Sequence, residues 1–130
     1  MKKADLYLAI DKLEQAFNRL KEALPRVQDD LDRDGIIQRF EFTIELLWKT
    51  IKIILAYQGI ECVSPRKCIK EAFRAGMIED DEIILDMLED RNRSSHIYDE
   101  STAEEIFERI AKVYVPILGK IIAKIRRSFE

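Results

Sequence analysis

The residues best suited to chemistry stand together in one stretch, Arg91-Asn92-Arg93-Ser94-Ser95-His96-Ile97-Tyr98, which holds the chain's single histidine. It follows seven acids in the twelve residues from Glu79 to Asp90, a run without a base. Arg91 supplies a fixed cation, and His96 can exchange a proton near neutral pH. A phosphodiester reaction uses both: a base to take a proton from the attacking hydroxyl, and a cation to meet charge growing on the phosphate oxygens. Five residues along an ideal helix are separated by about 140°. Arg91 and His96 therefore converge only if the helix ends or tightens between them. The other reading of the same residues is an ion pair at Arg91 and a helix end at His96.

Other chemistries are not supported by residue type. The chain has no glycine-rich phosphate loop and no Cys-Cys or His-His metal spacing. A di-iron bundle needs two Glu-x-x-His pairs, and one histidine cannot provide them. Glu41 and Glu45 share a helix face, and Asp86, Glu89 and Asp90 are near in sequence; solvated helix acids explain them better than a cation site. No metal and no cofactor is expected. Cys62 and Cys68 are too few for a disulfide scaffold and read as two reduced thiols.

These groups need elements to position them, and the apolar spacing supplies helices. Leu6, Ile10, Leu13, Phe17, Leu20 and Leu24 mark a first helix from about Asp5 to Leu24, ended by Pro25. Residues 26–35 are polar and acidic, with Gly35 as punctuation. A second helix is expected from Ile36 to Gln58, with Gly59 beyond its end. It has one stripe of Phe40, Ile44, Leu47, Ile51 and Ile54, and another side bearing Phe42, Leu46 and Ile53, which suits two neighbours or a second subunit. Ser64-Pro65 starts a short third helix that ends at Gly76. That helix carries Arg66, Lys67, Lys70 and Arg74. The acids Glu79 to Glu82 open a fourth, running to about Ser95 and burying Ile84, Met87 and Leu88. Ser101-Thr102-Ala103-Glu104 reads as a capping box for a last helix to about Arg127. Ile106, Ile110, Val113 and Ile117 face one way there, Tyr114, Leu118, Ile121 and Ile125 extend the stripe, and Pro116 predicts a kink. The expected fold is all-α, an antiparallel up-and-down four-helix bundle with an additional short helix, in a single domain over residues 1–130.

The 130 residues carry a net charge of −3, so whole-molecule attraction to nucleic acid is not expected. Any RNA contact would rest on a local patch, Arg66, Lys67, Lys70 and Arg74 with Arg93; DNA binding is not expected. No targeting segment and no apolar run of about 20 residues is seen, which points to a cytoplasmic protein without a membrane partner.

Arg91-x4-His96-x-Tyr98 resembles the signature of the HEPN superfamily (higher eukaryotes and prokaryotes nucleotide-binding domain). The chain is similar, over nearly its whole length, to the nucleotidyltransferase substrate-binding protein family, relatives of the HepT toxins. The likeness extends through Gln38 to Thr43, Trp48-Lys49, Ser64-Pro65-Arg66 and the turn from Ala72 to Gly76. It implies a homodimeric helical bundle and a partner that is a minimal nucleotidyltransferase. It further implies a metal-independent ribonuclease toxin, or else a non-catalytic substrate-binding partner. On the first reading His96 is the base for a ribose 2′-hydroxyl, Arg91 stabilises the transition state and Asn92 assists positioning. Tyr98 matches the tyrosine that the nucleotidyltransferase modifies with nucleotides.

Overall fold

The computed structural model describes residues 2–96 and 99–130. Helix α1 spans Lys3–Ala23, α2 Asp30–Tyr57, α3 Pro65–Arg74, α4 Asp81–Ser94, α5 Glu100–Arg109 and α6 Val115–Arg127. A short 3-10 turn, Leu24–Arg26, follows α1, and a wide π-helical turn, Ile110–Tyr114, joins α5 to α6 without a break. There is no strand among the described residues.

Helix α2 is the centre of the molecule and packs on α1, α3, α4 and α5, while α6 closes the bundle against α1. Bonds between elements give the directions. Thr50 reaches the Ala9 carbonyl and Arg39 the Arg19 carbonyl, so α1 and α2 are antiparallel. Ser94 meets Glu41 and Arg91 meets Glu45, so α2 and α4 are antiparallel. Arg126 of α6 pairs with Asp11 and Glu14 of α1 while Gly119 lies beside the Phe17 ring, so α1 and α6 are antiparallel too. The all-α, up-and-down bundle with an additional short helix, α3, is the observed architecture.

The expected stripes of α1 and α2 are buried: Leu6, Ile10, Leu13, Phe17 and Leu20 on one, Phe40, Ile44, Leu47, Ile51 and Ile54 on the other. On the second apolar side of α2, Leu46 and Ile53 are half-buried against the core and Phe42 is 62% exposed. Gly59 (φ 83°) and Gly76 (φ 77°) take the left-handed conformation that ends helices after α2 and α3.

Several boundaries differ from the sequence expectation. Helix α2 begins six residues before Ile36, because Asp29 caps it by accepting the Asp32 N–H at 2.9 Å. The Asp32 carboxylate accepts the Gln28 N–H in return, at 3.0 Å. Gly35 therefore lies inside a helix. The strongest reason for the longer helix is Arg33, which is 5% exposed and pairs with Asp30, Asp34, Glu100 and Glu104. Hydrogen bonding to Glu100 holds its guanidinium above its ordinary range, although burial opposes this. Asp80 caps α4, and Asp99 rather than Ser101 caps α5, accepting the Thr102 N–H at 2.7 Å.

The proline in the last helix acts as expected but by widening the helix. Pro116 has no N–H to give the Lys112 carbonyl, and its ring would crowd that group. The chain accommodates it with the π turn just upstream. The extra residue rotates the stripe, so Val113 is 39% exposed while Tyr114 and Val115 are buried. The cysteines are a correction too. Cys62 and Cys68 form a disulfide, closing the entrance of α3 across six residues. Closure of a loop that short is worth about 2 kcal/mol on the chain-entropy account.

Candidate functional site

The last turn of α4 is held from two sides. On the α2 side, Glu41 and Glu45 are one turn apart and both face it. Ser94 Oγ lies 2.7 Å from Glu41 Oε2 and 2.8 Å from the Arg91 carbonyl oxygen, and gives its one proton to either. Arg91 Nη2 is 3.4 Å from Glu45 Oε2, and Nη1 is 3.4 Å from Asn92 Oδ1. Arg91 Nε is buried with no hydrogen-bond partner among the described residues. Burial pushes the Glu45 carboxyl up, but hydrogen bonds from Trp48 and Lys49 and the charge of Arg91 outweigh it and hold the group below its usual range.

On the other side, Asp90 is buried, 4% exposed, and receives a fork from Arg109: Nε at 2.7 Å and Nη2 at 2.9 Å. Tyr114 donates its hydroxyl to the same carboxylate at 2.5 Å. Burial and the bond to Asp90 raise the Tyr114 phenol above its ordinary value, so it remains a donor at neutral pH. The bond to Asp90 likewise raises Arg109. Tyr114 stacks on Phe40, ring centres 5.4 Å apart, which carries the anchor into the α2 core. This cluster fixes Asp90, the residue before Arg91, to the π turn. Sequence reasoning missed it. The available signal was that Asp90 falls three residues after Met87, on the face α4 buries.

Arg91 and Asn92 line an open groove of about 650 Å³ between α2, the start of α3 and α4. Trp48, Ser64 and Arg66 share it, and so do the acids Glu45, Glu82, Asp86 and Glu89. His96 does not line this groove. It is exposed in the turn after α4, where its backbone N–H donates to the Arg93 carbonyl at 3.0 Å. Tyr98 falls outside the described residues. Arg93 pairs with Asp90 at 3.4 Å.

The basic helix α3 is only partly available. Lys70 is 2.9 Å from Asp81 and 3.6 Å from Glu82, and Arg74 is 2.6 Å from Glu71. Arg66 and Lys67 make no ion pair among the described residues and line a shallow surface beside Cys62. No group of His, Cys, Asp and Glu among the described residues has the geometry to hold a metal ion. No helix among the described residues is long and apolar enough to cross a membrane.

Comparison with known proteins adds to this geometry. No curated protein matches the chain. A crystal structure of a Thermus thermophilus protein is similar at 31% identity, covering 91% of this chain and 98% of that one, with a TM-score of 0.76. The Haemophilus influenzae protein HI0074 is similar at 25% identity, covering 90% of this chain and 98% of that one, with a TM-score of 0.80. The fold of HI0074 is described as that of a substrate binding domain of a nucleotidyltransferase. The family described as nucleotidyltransferase substrate binding protein like matches residues 4–127. With a match that runs through every helix from α1 to α6, the chain belongs to that family.

Proposed function

We propose that this protein is the helical component of a two-protein nucleotidyltransferase module, and that the end of α4 acts on RNA phosphodiesters as a metal-independent ribonuclease. The observation that carries the reading is Arg91, a guanidinium that lines the groove yet holds a buried Nε donor that no described group satisfies. An unused donor of that kind suits an oxyanion. In the reaction a ribose 2′-hydroxyl gives its proton to His96 and attacks the adjacent phosphorus. The bond from phosphorus to the 5′-oxygen breaks, that oxygen takes up a proton, and a 2′,3′-cyclic phosphate remains. Arg91 meets the charge on the phosphorus oxygens, and Asn92 helps to position them. Arg66 and Lys67, with weaker help from Lys70, Arg74 and Arg93, would hold the RNA backbone.

The partner would be a minimal nucleotidyltransferase, which silences the site by adding nucleotides to Tyr98; the absence of any mass gain on Tyr98 after incubation of the pair with ATP would remove that step. The functional unit would be a homodimer, supported by Phe42 exposed on α2 beside Leu46. A sedimentation mass of one chain would count against it. One observation favours a second reading, a non-catalytic subunit that presents substrate to the nucleotidyltransferase: His96 is not in the groove that holds Arg91.

Cleavage of RNA by purified protein in EDTA, beside His96→Ala and Arg91→Ala, separates the two. The ribonuclease reading expects cyclic phosphate ends from wild type and at least ~100-fold less product from His96→Ala, the usual loss on removing a general base. Intact RNA from folded wild-type protein would leave the substrate-binding role standing alone.

A further inference from the structure

The contact between Arg91 and Glu45 has the form of a place held open. Charge-assisted pairs close to about 2.7–2.9 Å and are strongest when the guanidinium fork offers two parallel N–H groups. Here Glu45 touches Nη2 alone, at 3.4 Å. The other nitrogen of that fork, Nε, is buried and satisfied by no described group. Glu45 does not depend on this contact alone, because it also sits 3.3 Å from Lys49 Nζ on its own helix. An oxyanion that took both Nε and Nη2 would satisfy the buried donor and release Glu45 to Lys49.

We propose that Glu45 is an internal competitor for Arg91: its carboxylate occupies half of the arginine's fork, and an RNA phosphodiester must displace it to bind. The proposal rests on the reading that Arg91 meets phosphate. It makes Glu45 the residue that sets the affinity of the groove, by a direct contact rather than by adding to the general negative field of Glu82, Asp86 and Glu89.

The test is a titration with a 2′-O-methyl dinucleotide, whose blocked hydroxyl prevents cleavage. It is followed by NMR on the indole of Trp48, the sole tryptophan, which lines the groove. Wild type is compared with Glu45→Gln, Arg91→Ala and the double variant, with melting curves confirming that each is folded. Glu45→Gln should bind about threefold more tightly, the worth of one half-exposed ion pair, and that gain should vanish in the Arg91→Ala background. Glu45→Asp keeps the charge but shortens the reach, so it should also bind more tightly. A gain that persists without Arg91, or a Glu45→Asp protein identical to wild type, would show a mere field effect and overturn the proposal. Weaker binding by Glu45→Gln would overturn it too, making Glu45 a support for Arg91. If wild type and Arg91→Ala bind alike, or neither binds, the phosphate reading of Arg91 falls and takes this inference with it.

Discussion

Asp90, the residue before Arg91, shows how much a single buried carboxylate can hold together. Its carboxylate is desolvated, and the cost is offset by Arg109 and Tyr114 together. Asn at this position would keep the shape but leave Arg109 as an uncompensated cation. Asp90→Asn should lower the unfolding free energy by about 3 kcal/mol, read as a fall in the urea midpoint at unchanged slope. The types in the Arg91 to Tyr98 stretch were legible because an arginine, an asparagine and the only histidine are an odd harvest for a bundle. Their partners were not. Glu45 is 46 residues from Arg91 and Arg109 is 19 residues from Asp90, and one sequence contains no record of which distant charges meet.

At the scale of elements, the helix faces were readable and the helix ends less so. The stripes of α1 and α2 emerged from spacing alone, since one buried face repeats every three or four residues. The start of α2 did not, because Gly35 and a string of aspartates look like loop. What settles the matter is tertiary: Arg33 must be helical to reach Glu100 and Glu104 across the bundle. Gly35 is then an interior helical glycine with nothing within 4 Å of the place a Cβ would occupy. Gly35→Ala should therefore stabilise the protein by about 0.5–1 kcal/mol, seen as a higher melting temperature. A lower one would mean that this turn needs glycine's freedom. The disulfide was missed for a similar reason, since composition speaks to redox habit and not to whether two thiols adjoin.

Over the whole molecule, charge works through local pairs on a weakly acidic background. Asp81 beside Lys70, Asp99 on the Thr102 N–H and Glu100 on Arg33 are all held below the usual carboxylate range. A carboxyl depressed in the folded state stabilises it only while ionised. That contribution is complete above about pH 5 and is lost as pH falls through about 4 and lower. Urea midpoints should thus hold steady from neutral pH to about 5 and then drop. A midpoint that rises on acidification would mean that relief of general repulsion outweighs these pairs. The bundle architecture was fully legible at this scale, since five apolar-striped segments with short joints leave few other arrangements.

The π turn at Ile110–Tyr114 also makes the molecule sensitive to chain length in a way that side-chain substitutions would not reveal. Each residue in a helix turns the chain by about 100°. Deleting Ala111 would remove the residue that the wide turn adds, and would counter-rotate everything before it against everything after. Arg109 and Tyr114 would no longer point at the same carboxylate. Such a protein should keep the helical circular dichroism of the parent and lose cooperative unfolding. In this family member a one-residue gap in that turn is a larger event than a changed residue, and the count between Arg109 and Tyr114 is itself part of what positions Arg91.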